Sequence, residues 1–167
     1  GQPALDKLIT ALRAPDHNTR QGAAYVLGRM KDPKAVPALI AVLKDTVYDV
    51  KGEAIDALGA IPDPRAVDAL MEATKYEGYI QLTAIALGKQ KDKRAVDLLI
   101  KIFQTKRYPW TAWALGEIGD RKAVPPIMEC YKTGQPYTKT ELLEALGKLG
   151  GPGVIELLLK ELNDPTW

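Results

Sequence analysis

The sequence predicts an all-α protein, an α-solenoid of about five and a half helix pairs. The dipeptide Leu-Gly occurs five times, with spacings of 31, 29, 28 and 31 residues, at Leu27, Leu58, Leu87, Leu115 and Leu146. Each is followed by an Ala-Val pair or a near equivalent, beginning at Ala35, Ala66, Ala95, Ala123 and, more loosely, Gly153. A period near 30 is typical of solenoids, in which each repeat buries its apolar face against its neighbours.

Each repeat contains two helical stretches. In repeat 2, Asp32-Pro33 is an N-cap with a first-turn proline, after which Val36, Leu39, Ile40 and Leu43 recur at helical intervals. After a turn at 46–49, a second helical stretch through Leu58 ends at Pro62-Asp63-Pro64. The same pattern predicts first helices near 3–13, 33–44, 64–75, 93–104, 122–132 and 152–162, and second helices near 17–30, 48–61, 78–90, 109–118 and 137–149. No period-two alternation persists, so no strand is predicted.

These elements predict one domain over residues 1–167. Its repeats lie near 3–30, 33–61, 64–90, 93–118 and 122–149, and a final helix follows near 152–162. A glycine inside five helices costs about 1 kcal/mol each relative to alanine, so it needs a compensating reason. We expect Gly28, Gly59, Gly88, Gly116 and Gly147 to let the neighbouring helix approach closely, and the alanines that recur nearby to support this stacking.

Composition excludes several classes of protein. The chain is 46% apolar and 26% charged, which suits a soluble globular protein. Its longest uncharged apolar runs are shorter than the roughly 18–20 residues that cross a bilayer, and no signal peptide is evident, so no membrane or secretory role is expected. The single cysteine, Cys130, suits a reducing compartment, and the cytoplasm is the expected location. A formal net charge of +2 does not by itself indicate nucleic-acid binding.

The stretch from Arg20 to Asp45 resembles a HEAT-like repeat of the short type also found in phycobilisome lyases. The resemblance extends over essentially the whole chain. It implies a right-handed superhelix, with first helices on the convex side and second helices on the concave side. Proteins of this kind mostly bind other proteins; some act in tetrapyrrole attachment and some on alkylated DNA.

The family pattern also carries an arginine seven residues before the leucine of Leu-Gly, which pairs with an aspartate in a neighbouring turn. Those positions hold Arg20, Lys51, Ile80, Tyr108 and Lys139, and the expected turn aspartates are Asp32, Asp63, Asp92 and Asp120. Repeats 3 and 4 lack the basic residue, and Gln90 replaces an expected apolar residue. This departure marks either a functional region or neutral drift.

Aromatic residues concentrate in the middle of the chain: eight of the eleven lie between Tyr76 and Tyr137. Positions two and five before the leucine of Leu-Gly share one helix face, which the resemblance makes concave. We expect a groove whose floor holds Leu82, Ile85, Trp110 and Trp113. Further predicted binding residues are Tyr25 and the flanking carboxylates Glu53, Asp56, Glu117, Glu141 and Glu144. The alternative is that Trp110 and Trp113 fill a gap left by the shortened connection before them.

An apolar groove with an acidic rim favours a non-catalytic scaffold that binds a basic or amphipathic peptide or protein. Two alternatives remain open, a bilin lyase-like protein that holds a tetrapyrrole and nucleic-acid binding through a basic edge near Lys31, Lys34, Lys89, Lys91, Lys93, Arg94, Arg121 and Lys122. No cofactor or metal is expected, because His17 is the only histidine and the paired His-Glu motifs of HEAT-type di-iron hydroxylases are missing. Whether the chain is complete or part of a longer array stays open, and uncapped solenoid ends would permit self-association.

Overall fold

The computed structural model describes residues 2–106, 108–134 and 139–163. Contacts divide the chain into two compact parts, the N-terminal block (1–92) and the C-terminal block (93–167), and each is described by itself. The described residues form α-helices and short 3-10 turns joined by brief connections, and they contain no strand. The all-α prediction is therefore confirmed, and the α-solenoid class with it; the single domain and the right-handed superhelix stay predictions.

Helices occur where the sequence predicted them. First helices are α1 Gln2–Ala11, α3 Val36–Val42, α5 Pro64–Ala73, α7 Val96–Lys106, α9 Val124–Lys132 and α11 Pro152–Leu162. Second helices are α2 His17–Met30, α4 Tyr48–Ala60, α6 Ile80–Gln90, α8 Pro109–Ile118 and α10 Lys139–Leu149. Short 3-10 turns precede α3, α6, α7 and α9. Residues 137–138, the predicted start of the last second helix, lie outside the described residues.

Aspartates set the starts of several helical stretches. The carboxylate of Asp16 accepts a hydrogen bond from the backbone N–H of Thr19, which caps α2. The turn aspartates Asp32, Asp63 and Asp120 accept from the backbone N–H two residues later, at the start of the next first helix. Each cap satisfies a donor that would otherwise have no partner in the helix. The Asp-containing turns thus end one repeat and begin the next.

In the N-terminal block, α2, α4 and α6 pack successively against one another, and α1, α3 and α5 cover them on one side. The apolar face of each helix points into the space between these two layers. The largest side chains between the two layers are fully buried, among them Leu27, Leu39, Ile55, Leu58 and Leu70. In the C-terminal block α8 packs against α10, with α7, α9 and α11 against them.

The Leu-Gly glycines lie where successive second helices touch. A Cβ added at Gly28 would come within 2.8 Å of Ala57 Cα, and one at Gly59 within 2.7 Å of Ala86 Cα. In the C-terminal block, a Cβ at Gly116 would lie 3.0 Å from Ala145 Cα. The expectation of close approach is confirmed at these three positions. It is wrong at Gly147, where an added Cβ would meet nothing within 4 Å.

Arg20 links repeat 1 to repeat 2 through a two-pronged ion pair. Its Nε lies 2.7 Å from Asp45 Oδ2 and its Nη2 lies 3.0 Å from Asp45 Oδ1. Its Nη1 also donates to the carbonyl oxygens of Ala14 and Pro15. The prediction that Arg20 pairs with an aspartate of a neighbouring turn is right, but the expected turn aspartates were the wrong ones. Asp45 lies in the turn between α3 and α4, whereas Asp32 caps the helical stretch that begins at Pro33.

Lys51 occupies the same place in repeat 2, and its partner is aromatic. Its Nζ lies 4.6 Å from the ring centre of Tyr76, 25 residues further along the chain, just as Asp45 follows Arg20 by 25. Tyr79 is buried, stacks on Tyr48 at 4.5 Å between ring centres, and donates its hydroxyl to the Tyr48 carbonyl. A cation–π contact with an aromatic stack therefore replaces the ion pair at this junction.

Gln90 also has a packing role. Its side-chain amide donates to the carbonyl oxygens of Leu58 and Ile61, at 2.5 and 2.6 Å, and its carbonyl oxygen accepts from the N–H of Asp63. These carbonyls lie at the C-terminal end of α4, where acceptors lack partners within the helix. The departure at Gln90 is thus explained by helix capping between neighbouring repeats.

Replacing Gly59 with alanine is expected to lower the free energy of unfolding by about 1–3 kcal/mol, because the new Cβ would overlap the backbone of α6. Gly147→Ala is the matched control: with open space around it, it is expected to raise stability by up to about 1 kcal/mol through helix propensity. Urea unfolding followed by circular dichroism measures both. Equal effects of the two substitutions would contradict the packing role of Gly59.

Stability is expected to depend on pH through Asp45. The hydrogen bonds from Arg20, and to a lesser extent that from the Val47 N–H, hold the pKa of Asp45 below its ordinary value. The ionised Asp45 carboxylate therefore adds to the free energy of unfolding above about pH 4. This stabilisation is lost as the pH falls through the lowered pKa of the folded state. Wild type should be more stable than Asp45→Asn at pH 7, and the gap should close below about pH 4 in urea unfolding. A gap that does not change with pH would refute this.

Candidate partner-binding face

The predicted binding residues lie on the second helices, on a surface of each block that we call its second-helix face. It consists of three rows: the positions five before and two before the leucine of Leu-Gly, and the position directly after the glycine. In the N-terminal block, Tyr25 on α2 is 55% exposed. Glu53 and Asp56 on α4 and Leu82 and Ile85 on α6 are half-buried. Since these side chains reach solvent, the face is accessible in this block.

A shallow groove of about 650 Å³ lies across α2, α4 and α6. The predicted residues Tyr25, Glu53 and Asp56 line it, together with the bases Arg29, Lys31 and Lys89. Burial, and secondarily the nearby charge of Asp56, raises the pKa of Glu53. Asp56 Oδ1 is 3.5 Å from Lys89 Nζ. The groove therefore combines one exposed aromatic ring with charges of both signs.

In the C-terminal block the corresponding positions carry tryptophan. Trp110, in the first turn of α8, is 49% exposed, and Trp113 is half-buried one turn later. Both side chains project from a helix whose opposite side holds the buried residues Ala112, Leu115 and Ile118. Trp110 is the most exposed of the described tryptophans, although its size and composition favour burial.

Carboxylates surround these rings, but a lysine neutralises part of their charge. Lys148 Nζ lies 2.7 Å from Glu117 Oε1 and 2.9 Å from Glu144 Oε1, and 5.8 Å from the ring centre of Trp113. The hydrogen bond with Glu117, followed by that with Glu144, raises the pKa of Lys148. Glu141 is half-buried one turn before Glu144. The expected acidic rim is thus a mixed-charge rim.

Sequence reasoning did not place Arg29, Lys89 and Lys148 on this face: it named neither Arg29 nor Lys148 as a binding residue and assigned Lys89 to the basic edge. Each directly follows the glycine of a Leu-Gly pair, four residues after the row that contains Tyr25, Ile85 and Glu144. Residues four apart lie on the same side of a helix, so the register alone places these bases on the second-helix face. Glu117 was the one member of this row that the prediction included.

Not every aromatic residue of the middle repeats belongs to this face. Tyr79 and Phe103 are buried, so part of the aromatic concentration is core packing. Leu82 and Ile85 belong to the N-terminal block, whereas Trp110 and Trp113 belong to the C-terminal block. The prediction that these four form one groove floor stays a prediction.

Residues considered for other kinds of site lie away from the second-helix face or in separate places. His17 is exposed at the start of α2, and Cys130 is buried in α9. Within 2–106, 108–134 and 139–163, no three His, Cys, Asp or Glu side chains lie close enough together to hold a metal ion. None of the helices in those ranges has both the length and the apolar character of a membrane span. The basic-edge residues Lys31 and Lys91 end α2 and α6 in left-handed backbone conformations.

The model of the family of HEAT repeats matches residues 5–85 and 109–167. Two curated relatives, the deoxyhypusine hydroxylases of Bos taurus and Danio rerio, are 47% and 51% identical over 57 residues. This match includes 33% of this chain, and the chain spans only 19% of the length of those relatives. A match of this length shows that part of this chain is similar in sequence to part of those proteins.

Solved structures resemble the chain over nearly its whole length. A structure of the CpcE and CpcF complex of phycocyanin lyase from Nostoc sp. PCC7120 matches with a TM-score of 0.77 and 26% identity, over 96% of this chain and 71% of that one. An engineered protein matches with a TM-score of 0.67 and 20% identity, over 97% of this chain and 90% of that one. The second likeness shows the fold alone.

The two tryptophans of α8 are expected to differ in solvent access. In a Trp113→Phe/Trp167→Phe variant, Trp110 fluorescence should be emitted at longer wavelength and quenched more strongly by acrylamide than Trp113 fluorescence in a Trp110→Phe/Trp167→Phe variant. The reason is that Trp110 is exposed at the helix start and Trp113 is half-buried beside Lys148. Stronger quenching of Trp113 would contradict the described face.

Proposed function

The chain belongs to the HEAT-repeat family, and on this premise we propose that it is a non-catalytic scaffold that binds a peptide or protein on its second-helix face. The exposure of Trp110 carries the proposal most strongly. An exposed large aromatic side chain on an ordered helix buries much apolar area when a partner covers it, and tryptophan is enriched among the residues that dominate binding energy.

The charges of the face favour a partner with basic groups. Glu53 is half-buried, and burial raises its pKa, so its ionised form has lost solvation. A lysine or arginine side chain of a partner would restore favourable interactions to this carboxylate. In the C-terminal block, Glu141 and Glu144 offer further acceptors, while Lys148 holds Glu117 and Glu144 beside Trp113. An amphipathic segment with apolar and basic residues fits this arrangement.

Selection of peptides from a random display library on the immobilised 167-residue chain tests the proposal. We expect enriched peptides with aromatic or aliphatic residues next to Lys or Arg. Affinities of synthetic copies would then be compared by isothermal titration calorimetry. Because loss of a tryptophan anchor costs about 2 kcal/mol or more, Trp110→Ala/Trp113→Ala should weaken binding at least about thirtyfold.

Ile155→Ala is the matched control, because Ile155 is also a large exposed apolar residue of the C-terminal block but lies on a first helix. It should leave the affinity unchanged, and circular dichroism should show that both variants stay folded. Equal affinity of wild type and the folded double tryptophan variant would refute the role of α8. Loss of binding in Ile155→Ala alone would move the site to α11.

The likeness to a phycocyanin lyase structure supports a second candidate, a lyase-like protein that holds a tetrapyrrole against the tryptophans. On this alternative, adding free bilin should change its visible absorption spectrum, and Trp110→Ala/Trp113→Ala should abolish that change. Binding of oligonucleotides that weakens steeply with salt and depends on Lys91, Lys93 and Arg94 would instead favour the basic edge. Whichever of these functions the protein has, we expect it to act in the cytoplasm.

A further inference from the structure

The first helices share a solvent-facing stripe, which lies opposite the buried side of each helix. It comprises positions one, five and eight after the valine of Ala-Val, counted from Leu5 in α1 and from Val154 in α11. In the five earlier first helices and the turns directly after them, all of these positions are exposed and none holds a large apolar residue. They are Asp6, Thr10, Arg13, Pro37, Ala41, Lys44, Asp68, Glu72, Lys75, Asp97, Lys101, Gln104, Pro125, Glu129 and Lys132.

In α11 the same three positions are all large and apolar. Ile155, Leu159 and Leu162 are exposed to 57%, 56% and 82%. We call these three residues the α11 stripe. Single exposed apolar residues are ordinary, but a contiguous row at a position that is otherwise polar marks a contact surface. The repeat pattern itself therefore singles out this helix.

The side of α11 that packs against the rest of the C-terminal block is not the side that carries the stripe. Val154 is buried, and Glu161, seven residues later on the same side, is held by Lys139 with 2.7 Å between Nζ and Oε2. These contacts fix the inward side of α11 against the rest of the C-terminal block. The α11 stripe points away from that side, so packing within the block does not explain it.

Two charges near the α11 stripe indicate what covers it. Glu156 and Lys160 are exposed, lie one turn apart, and form no ion pair with any residue that the structure describes. Both residues flank the α11 stripe on the same side, so a parallel pairing about a two-fold axis would place them on opposite edges of the contact, where they would not meet their copies. An antiparallel pairing about a two-fold axis near Leu159 brings Glu156 of each copy close to Lys160 of the other, and Ile155 opposite Leu162. The helix is thus complementary to itself in one direction only.

We propose that the chain self-associates through the α11 stripe, as an antiparallel, two-fold symmetric pair of α11 helices. Leu162 follows Ile155 by seven residues, which is about 10 Å of helix, so the contact is small. A small apolar contact with two ion pairs at its edge gives a reversible dimer, with a dissociation constant of about 10–100 μM. This association is independent of the second-helix face.

Sedimentation velocity of the full 167-residue chain, from about 5 to about 500 μM, tests the proposal over the range expected for a contact of this size. Wild type should shift from monomer to dimer, and Leu159→Glu should stay monomeric at every concentration. Ala41→Glu, at the same stripe position on α3, is the matched control and should dimerise like wild type. Circular dichroism confirms that the variants are folded. A monomeric wild type throughout, or a dimer that tolerates Leu159→Glu, would overturn the proposal.

Charge reversal tests the antiparallel arrangement. Glu156→Lys alone and Lys160→Glu alone should each weaken dimerisation several-fold, because each places like charges opposite each other. The double variant Glu156→Lys/Lys160→Glu should restore it to near the wild-type value, since opposite charges face again. If the double variant is as weak as the single ones, the antiparallel pairing is wrong.

Discussion

The close contact between a glycine of one second helix and an alanine of the next is the constraint on which the rest of the structure depends. At Gly28, Gly59 and Gly116 no side chain fits between the two backbones, because an alanine lies against each glycine. This contact fixes how closely successive second helices lie and which side of each helix turns toward solvent. The exposed positions of Tyr25 and Trp110 are consequences of that register, since residues at a fixed offset from the glycine lie on the corresponding side of their own helix.

Around this fixed backbone contact, the links between repeats vary in chemistry while their place in the sequence stays the same. The pair 25 residues apart is an arginine with an aspartate in one junction and a lysine with a tyrosine in the next. The first is a charge-assisted, two-pronged hydrogen bond and the second a cation–π contact. Because both pairs join residues 25 positions apart in neighbouring repeats, the place of the link is kept while the residue types change. Gln90 provides a third kind of link, because its side-chain amide donates hydrogen bonds to carbonyl oxygens at the end of α4.

The order and type of the described helices could be predicted from the sequence because apolar periodicity, Asp-containing turns and Leu-Gly spacing agree with one another. Side-chain partners were harder. Asp45 was overlooked as the partner of Arg20, because the sequence contains several turn aspartates and only the fold selects among them. The rim was expected to be acidic because Lys148 was not placed on the face, although its register indicates it. Long, flexible side chains reach partners that periodicity does not specify. The joint groove floor and the remaining site residues stay predictions.

The glycine–alanine contacts join residues only 27 to 29 positions apart, which makes each junction a local feature of the chain. A structure stabilised by such short-range contacts folds without first closing long loops, and its stability is distributed over neighbouring repeats. Duplication or loss of one whole repeat would still set a Leu-Gly glycine against an alanine of the next second helix, because both residues recur at the same place in each of these repeats. Evolution can therefore change the number of helix pairs in such an array, and with it the span of any bound ligand, without inventing a new interface.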